Sequence, residues 1–253
     1  MNKKNIKENN IDGMILLDKE YGLSSNNNLQ QIKKILKIKK AGYVGTLDPI
    51  ATGILPICIG KTTKKTQYLV EQKKKYLVIA KLGENTNTFD KEGIILKTRK
   101  INFSKKKIQK IINDFHGEQI QKPPIYSALK YKGKPLYYYA RKNIKIPIKK
   151  KKIYIHKIKL INYKIDKIKI KITCSKGTYI RSIINELGEL LNCGAHVIFL
   201  RRLQLGTYTL KNSIKLISIK NIVTSYYKNK NNITLNILNK FRKVYFPDKE
   251  LKF

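Results

Sequence analysis

The chain has 253 residues, 55 of them lysine or arginine against 16 acidic, for a net charge of +39. That length can bury a sizeable core and allows one or two domains, of which one large domain is the expectation. The polar, lysine-rich first ten residues offer no apolar segment for a secretory signal, and no later apolar run reaches the length of a bilayer span, so a cytoplasmic chain working away from membranes is expected.

Cys58, Cys174 and Cys193 form no short paired spacing and are odd in number. This argues against a zinc module or a disulfide framework and reads as reduced core thiols. Lysine, isoleucine and asparagine all have A/T-rich codons and are all abundant, so genome composition inflates the lysine count. The positive field survives that discount and makes nucleic acid the first partner to consider. Arginine is the more informative base, with only six residues (99, 141, 181, 201, 202, 242). Three of them fall between 181 and 202, a cluster that suggests planar, forked hydrogen bonding to carboxylate or phosphate.

In chain order, GMILLD (13–18) reads as a buried strand, and Ser24 or Ser25 caps a helix that puts Leu29, Ile32 and Leu36 on one face. GILPICIG (53–60) is a second apolar strand, and the glycine-hinged stretch GYVGTLDPIATG (42–53) leads into it. A short helix near 62–71 precedes a strand at 75–82 with Tyr76, Val78, Ala80 and Leu82 on one face. Residues 104–115 look helical. The stretch 121–142 then breaks all periodicity with prolines, five tyrosines and interleaved lysines, and reads as a long loop. The span 151–174 is strand-rich: Ile168, Ile170, Ile172 and Cys174 alternate with Lys167, Lys169, Lys171 and Thr173, as in an antiparallel sheet with one wet face. That lysine stripe is expected to face solvent. Residues 175–191 turn on Gly177 into a helix, 196–210 return as a strand, and 213–240 look helical. There is no internal repeat. The mixed order of elements favours α+β, with a mainly antiparallel central sheet flanked by helices and loops.

Asp48 is the only carboxylate in its stretch, boxed by Gly42, Gly45, Gly53, Leu47 and Pro49. An Asp-Pro turn is one reading and chemistry the other. What favours chemistry is Arg181 at the start of the 175–191 helix, a guanidinium that would hold Asp48 ionised if the two met. Asp90, in TNTFDKEG (86–93), reads as a structural turn acid. His116, His156 and His196 show no ligand spacing, so no metal is expected.

Four blocks carry a resemblance to the TruB-type tRNA pseudouridine synthases, which act on the uridine at position 55 of the T-loop. They are LLDKEYGLSSNNNLQQIKK (16–34), GYVGTLDPIATGILPICIGKTTK (42–64), QKPPIYSALKYKGKPLYYYAR (121–141), and CSKGTYIRSIINELG (174–188) with HVIFLRRLQLGTY (196–208). The resemblance implies the pseudouridine synthase fold over 11–245, preceded by a disordered basic N-terminus at 1–10. It makes Asp48 the catalytic aspartate, Arg181 its ion-pair partner and Tyr76 the ring stacked on the target uracil, with Tyr179 and Leu200 as further pocket walls. The segment matching 121–142 embraces the T-arm in the family, which implicates Lys130, Lys132, Lys134, Tyr137 and Arg141 in RNA binding. Isomerising a nucleoside needs no redox step, and no cofactor is implied. The implied partner is tRNA, with no protein partner and a monomer as default.

The chain departs from the family pattern in places. Tyr43 stands where the family has a histidine beside the catalytic loop, though a phenol there can still stack on the substrate and donate a hydrogen bond. Glu20 replaces a proline, and Lys142–Asn143 lacks a glycine. Family members commonly carry a C-terminal PUA-type RNA-binding domain, whereas this chain stops at Phe253, so a minimal enzyme relying on bulk positive charge is expected. The alternatives are a non-catalytic tRNA-binding or tRNA-folding protein and a guide-dependent synthase within a ribonucleoprotein.

Overall fold

The computed structural model describes residues 12–228, so the expectations for the N-terminus and for helix beyond 228 lie outside the described residues. The chain divides into two compact units, one formed by residues up to Gln72 and from Arg202 onward, the other by Lys73–Arg201. In chain order the first unit holds β1 (Gly13–Lys19), α1 (Ser25–Leu36), β2 (Ala41–Tyr43), β3 (Ala51–Ile59) and, after a 3-10 turn, α2 (Thr66–Glu71). The second holds β4 (Lys74–Leu82), β5 (Glu84–Thr86), β6 (Ile95–Thr98), α3 (Lys105–Asp114), β7 (Gly117–Gln121), β8 (Lys130–Tyr131), β9 (Lys134–Pro135), α4 (Leu136–Arg141), β10 (Lys151–Lys164), β11 (Lys167–Cys174) and α5 (Ile180–Leu190). Strand β12 (Ala195–Leu205) passes from the second unit into the first, which ends its described part with β13 (Tyr208–Thr209) and α6 (Leu216–Lys228). This is the α+β class expected, built on a mainly antiparallel sheet.

In the first unit β1 runs antiparallel to β3, from Gly13 opposite Ile59 to Lys19 opposite Gly53. Both strands read as continuous apolar runs because both of their faces are covered: Ile15, Leu16, Leu17, Ile54, Leu55 and Ile57 are fully buried. Ser24 is the cap of α1 and accepts a hydrogen bond from the Asn27 amide at 3.0 Å. Lys33 and Lys34 sit in its last turn, where the helix dipole favours cations. The neighbouring Ser25 is buried and does other work. Cys58 lies in the core, where burial pushes its thiol up to about 12 and keeps it unreactive.

In the second unit β4, β11, β10 and β7 pair antiparallel in that order. Burial alternates strictly along β4, with Tyr76, Val78, Ala80 and Leu82 on the covered face. On the opposite face Lys171 stands across from Lys159, and Lys167 stands between Lys164 and Lys81. Among the described residues, Lys81 alone of these five has a carboxylate partner, Glu84 at 2.5 Å. Lys167 is exposed, and Lys169 and Lys171 are half-exposed.

The stretch expected to be one long loop is folded. Lys132 and Gly133 take left-handed conformations (φ 45° and 80°), which closes a tight two-residue hairpin between β8 and β9. Pro135 then leads into α4. Two-residue strands and a six-residue helix are too short for periodicity to reveal. Among the described residues no helix is long and apolar enough to cross a membrane.

Ile165, in the turn joining β10 to β11, has φ 53° and is 79% exposed. A β-branched residue is costly in this left-handed region and here buries little in return. Ile165→Asn should therefore stabilise the protein by about 1 kcal/mol, read as a raised urea midpoint with an unchanged slope.

Candidate active site

Asp48 sits in the connection from β2 to β3, half-buried, with Val44, Leu47 and Ile50 buried around it. Val44 belongs to the core cluster of Met14, Leu16, Ile54, Cys58, Leu69 and Leu205. The Ala51 amide donates to the Asp48 carbonyl at 3.0 Å, closing a turn over Asp48-Pro49-Ile50-Ala51, and the Gly22 amide donates to Pro49 O at 3.0 Å. The Asp-Pro turn foreseen from sequence therefore exists, and its existence does not compete with a chemical role.

Three side chains fix this turn. Ser25 Oγ accepts from the Leu47 amide and donates to the Leu47 carbonyl, each at 2.8 Å, which locks the residue before Asp48. Lys19 Nζ, fully buried at the end of β1, donates to Ala51 O at 2.6 Å, Glu20 O at 3.1 Å and Pro49 O at 3.2 Å. Arg202 is 1% exposed; its Nε donates to Ile54 O at 2.7 Å and its Nη2 to Gly45 O at 2.9 Å and Val44 O at 3.4 Å. Hydrogen bonds from charged donors contribute about 1.5–3 kcal/mol each. The sequence suggested that the arginine cluster would fork onto carboxylate or phosphate; Arg202 instead donates to main-chain carbonyls of the loop and β3. Gly53, at φ 100°, lies against the Arg202 main chain, where a Cβ would collide with the Arg202 carbonyl.

Of the other residues expected at the site, Tyr76, Tyr179, Arg181 and Leu200 lie in the second unit and Tyr43 in the first. Arg181 occupies the first turn of α5, 4% exposed. Its Nη1 donates to Thr88 O at 2.8 Å and lies 3.3 Å from Asp90 Oδ2, while its Nη2 donates to Tyr126 O at 2.9 Å. Asp90, expected to be a turn acid, does hold its turn, accepting from Thr88 Oγ1 at 2.6 Å and the Glu92 amide at 3.1 Å. It is also a buried counter-ion to Arg181. Tyr179 is the N-cap residue of α5, and Gln121 grips it on both sides: Oε1 accepts from the Tyr179 amide at 2.8 Å and Nε2 donates to its carbonyl at 3.0 Å. Tyr76 and Leu200 are buried, at 8% and 4% exposure. Tyr43 is half-buried at the end of β2, opposite Ile57.

Lys130, Lys132, Lys134, Tyr137 and Arg141 are all exposed on the hairpin and α4. Tyr138, which the sequence did not single out, is the hub there. Lys134 Nζ lies 4.6 Å from its ring centre and donates to its hydroxyl at 3.3 Å, and Lys142 lies 4.8 Å from the ring. Hydrogen bonding to Lys142 and Lys134 draws the Tyr138 phenol below its usual range. Arg141 lies over Tyr137 at 5.3 Å. These contacts set cations and aromatic faces side by side, a pairing suited to phosphates and bases.

Residues 33–180 match the family described as TruB family pseudouridylate synthase (N terminal domain), and residues 181–243 match the tRNA pseudouridylate synthase B C-terminal domain. The tRNA pseudouridine synthase B of Buchnera aphidicola subsp. Baizongia pistaciae is 53% identical over 214 residues, covering 84% of this chain and 70% of that one. That of Photobacterium profundum is 48% identical over 206 residues, covering 81% and 65%. Among solved structures, a Cbf5-Nop10-Gar1 complex aligns with a TM-score of 0.65 and 29% identity, covering 85% of this chain and 54% of the matched one. The chain thus spans 70% and 65% of the two curated relatives and 54% of the solved chain.

Replacing Arg202 by methionine keeps its bulk and strands three carbonyls. Arg202→Met should lower stability by about 3 kcal/mol in urea titration, and Arg202→Lys should recover little, since one ammonium cannot span both the loop and β3.

Proposed function

Because the chain belongs to the TruB family of pseudouridylate synthases, we propose that it converts the uridine at position 55 of the tRNA T-loop into pseudouridine, with Asp48 acting on the flipped-out nucleotide. The reaction breaks the bond from C1′ to N1, turns the uracil in place and joins C1′ to C5; C5 loses a proton and N1 gains one. No atom is added and no electron is removed. One ionised carboxylate, acting at the sugar or the base, together with a flat wall that retains the detached uracil, meets this need. Hydrolysis of a glycosidic bond would call for two carboxylates and room for water.

The observation that carries this reading is the fixed backbone on either side of Asp48, held by Ser25, Lys19 and Arg202. A group that acts on a transition state must be positioned beforehand, and main-chain anchoring supplies that positioning. In this reading Arg181 is the counter-ion of Asp48, Tyr76 stacks on the uracil, and Tyr179, Leu200 and Tyr43 line its surroundings. Flipping the nucleotide costs a few kcal/mol, and stacking on one ring returns about 1–3 kcal/mol. Phosphate contacts from Lys130, Lys132, Lys134 and Arg141, with Tyr137, supply the remainder. The chain works in the cytoplasm as a monomer, without a guide RNA, a protein partner or a cofactor.

Asp48→Asn separates the enzyme from a protein that only binds or folds tRNA. With unmodified tRNA labelled with tritium at uridine C5, the wild type alone should release tritium, while both proteins bind with similar affinity. Equal release by the variant would remove Asp48 from the chemistry. Affinity should also fall roughly a hundredfold or more between about 50 and 200 mM salt, as expected when several cations neutralise phosphates. A filter-binding series gives the slope, and a flat one contradicts the assignment of the lysines.

A further inference from the structure

Lys151 opens β10 directly opposite Gln121 of β7. Its neighbour Lys152 is exposed and pairs with Glu118 at 2.9 Å. Lys151 takes the other side of the strand. Its ammonium lies 4.8 Å from the centre of the Tyr179 ring, and a Cβ on Gly177 would come within 3.3 Å of Nζ. Gly177 has φ 70° and can follow this path without strain. Among the described residues no carboxylate pairs with Lys151, and burial lowers its proton affinity below that of an ordinary lysine. The first acid along α5, Glu186, is itself driven toward its neutral form by burial, and the charge acting against that shift is Lys150.

An ammonium drawn partly out of water and set on an aromatic face, with no carboxylate, lacks a counter-charge. The surroundings fix its place closely. Gln121 holds Tyr179 by main-chain amide and carbonyl, Tyr179 supports the ammonium, and Gly177 leaves it room. A phosphodiester has the charge and the oxygen acceptors to complete this arrangement, and a ring beside it offers a face to the attached base.

We propose that Lys151 is a phosphodiester-binding residue, its ammonium, held on the Tyr179 ring beside Gly177, contacting the RNA backbone next to the nucleotide bound at Tyr179. This rests on the reading of Tyr179 as a wall of the nucleotide pocket. It adds to the exposed cations of the hairpin and α4 a cation fixed beside the pocket itself.

The test compares tRNA binding by wild type, Lys151→Gln, Lys151→Arg and Lys152→Gln across a salt series. Lys151→Gln should weaken binding about tenfold and reduce the slope of log affinity against log salt by about 1, the signature of one lost phosphate contact. Lys151→Arg should bind within about twofold of wild type, and Lys152→Gln should keep the wild-type slope. Circular dichroism melting should be the same for all four. An unchanged slope in folded Lys151→Gln overturns the proposal, as does an equal loss in Lys152→Gln, which would point to the general positive field. A wild type that binds tRNA without modifying it would sink the enzymatic reading alone, since the affinities still report on Lys151.

Discussion

The structure around Asp48 depends on a transfer of hydrogen-bonding duty from secondary structure to side chains. The stretch from Val44 to Ile50 lies outside any strand, yet carbonyls along it and at the start of β3 lie in a largely buried setting where unpaired groups are costly. Lys19 and Arg202 satisfy them from two directions, and Ser25 satisfies both polar groups of Leu47. Neither cation could be replaced by an apolar residue without stranding those oxygens. A loop fixed in this way can carry a reactive acid without becoming a flexible tether.

How much of this was legible follows from the range of each signal. The β4 face with Tyr76, the face of α1 and the α5 start with Arg181 were readable because their patterns are local and repeat. The turn at Asp48-Pro49 was readable from its own two residues. The duties of Lys19 and Arg202 were not, because they arise from contacts spanning 32 and 157 residues. A signal did exist for Arg202: it follows Leu200 by two positions along β12, and both are buried. The hairpin and α4 escaped because no element there is long enough to show a period. Asp90 was read as a turn former, which it is; that it also neutralises Arg181 required knowing that two segments 91 residues apart meet.

Charge plays different parts in different places. Arg181 and Arg202 are buried and donate to main-chain carbonyls of the protein itself. The cations of the hairpin and α4 sit on aromatic rings at the surface, where they remain available to another molecule. Lys151 is intermediate, half-buried and on a ring. A single net charge of +39 therefore conceals residues that hold the fold together and residues that point away from it.

The lysines facing one another across β10, β11 and β4 repel, and four of the five described have no carboxylate to relieve them. Dissolved anions can relieve them instead. Ionic strength then acts on this protein in two opposed senses: it screens the internal repulsion and firms the sheet, while it dilutes the pull toward a polyanion. The medium that best preserves the folded chain is thus not the one in which it would grip RNA most strongly, and a cell's salt content fixes a compromise between the two.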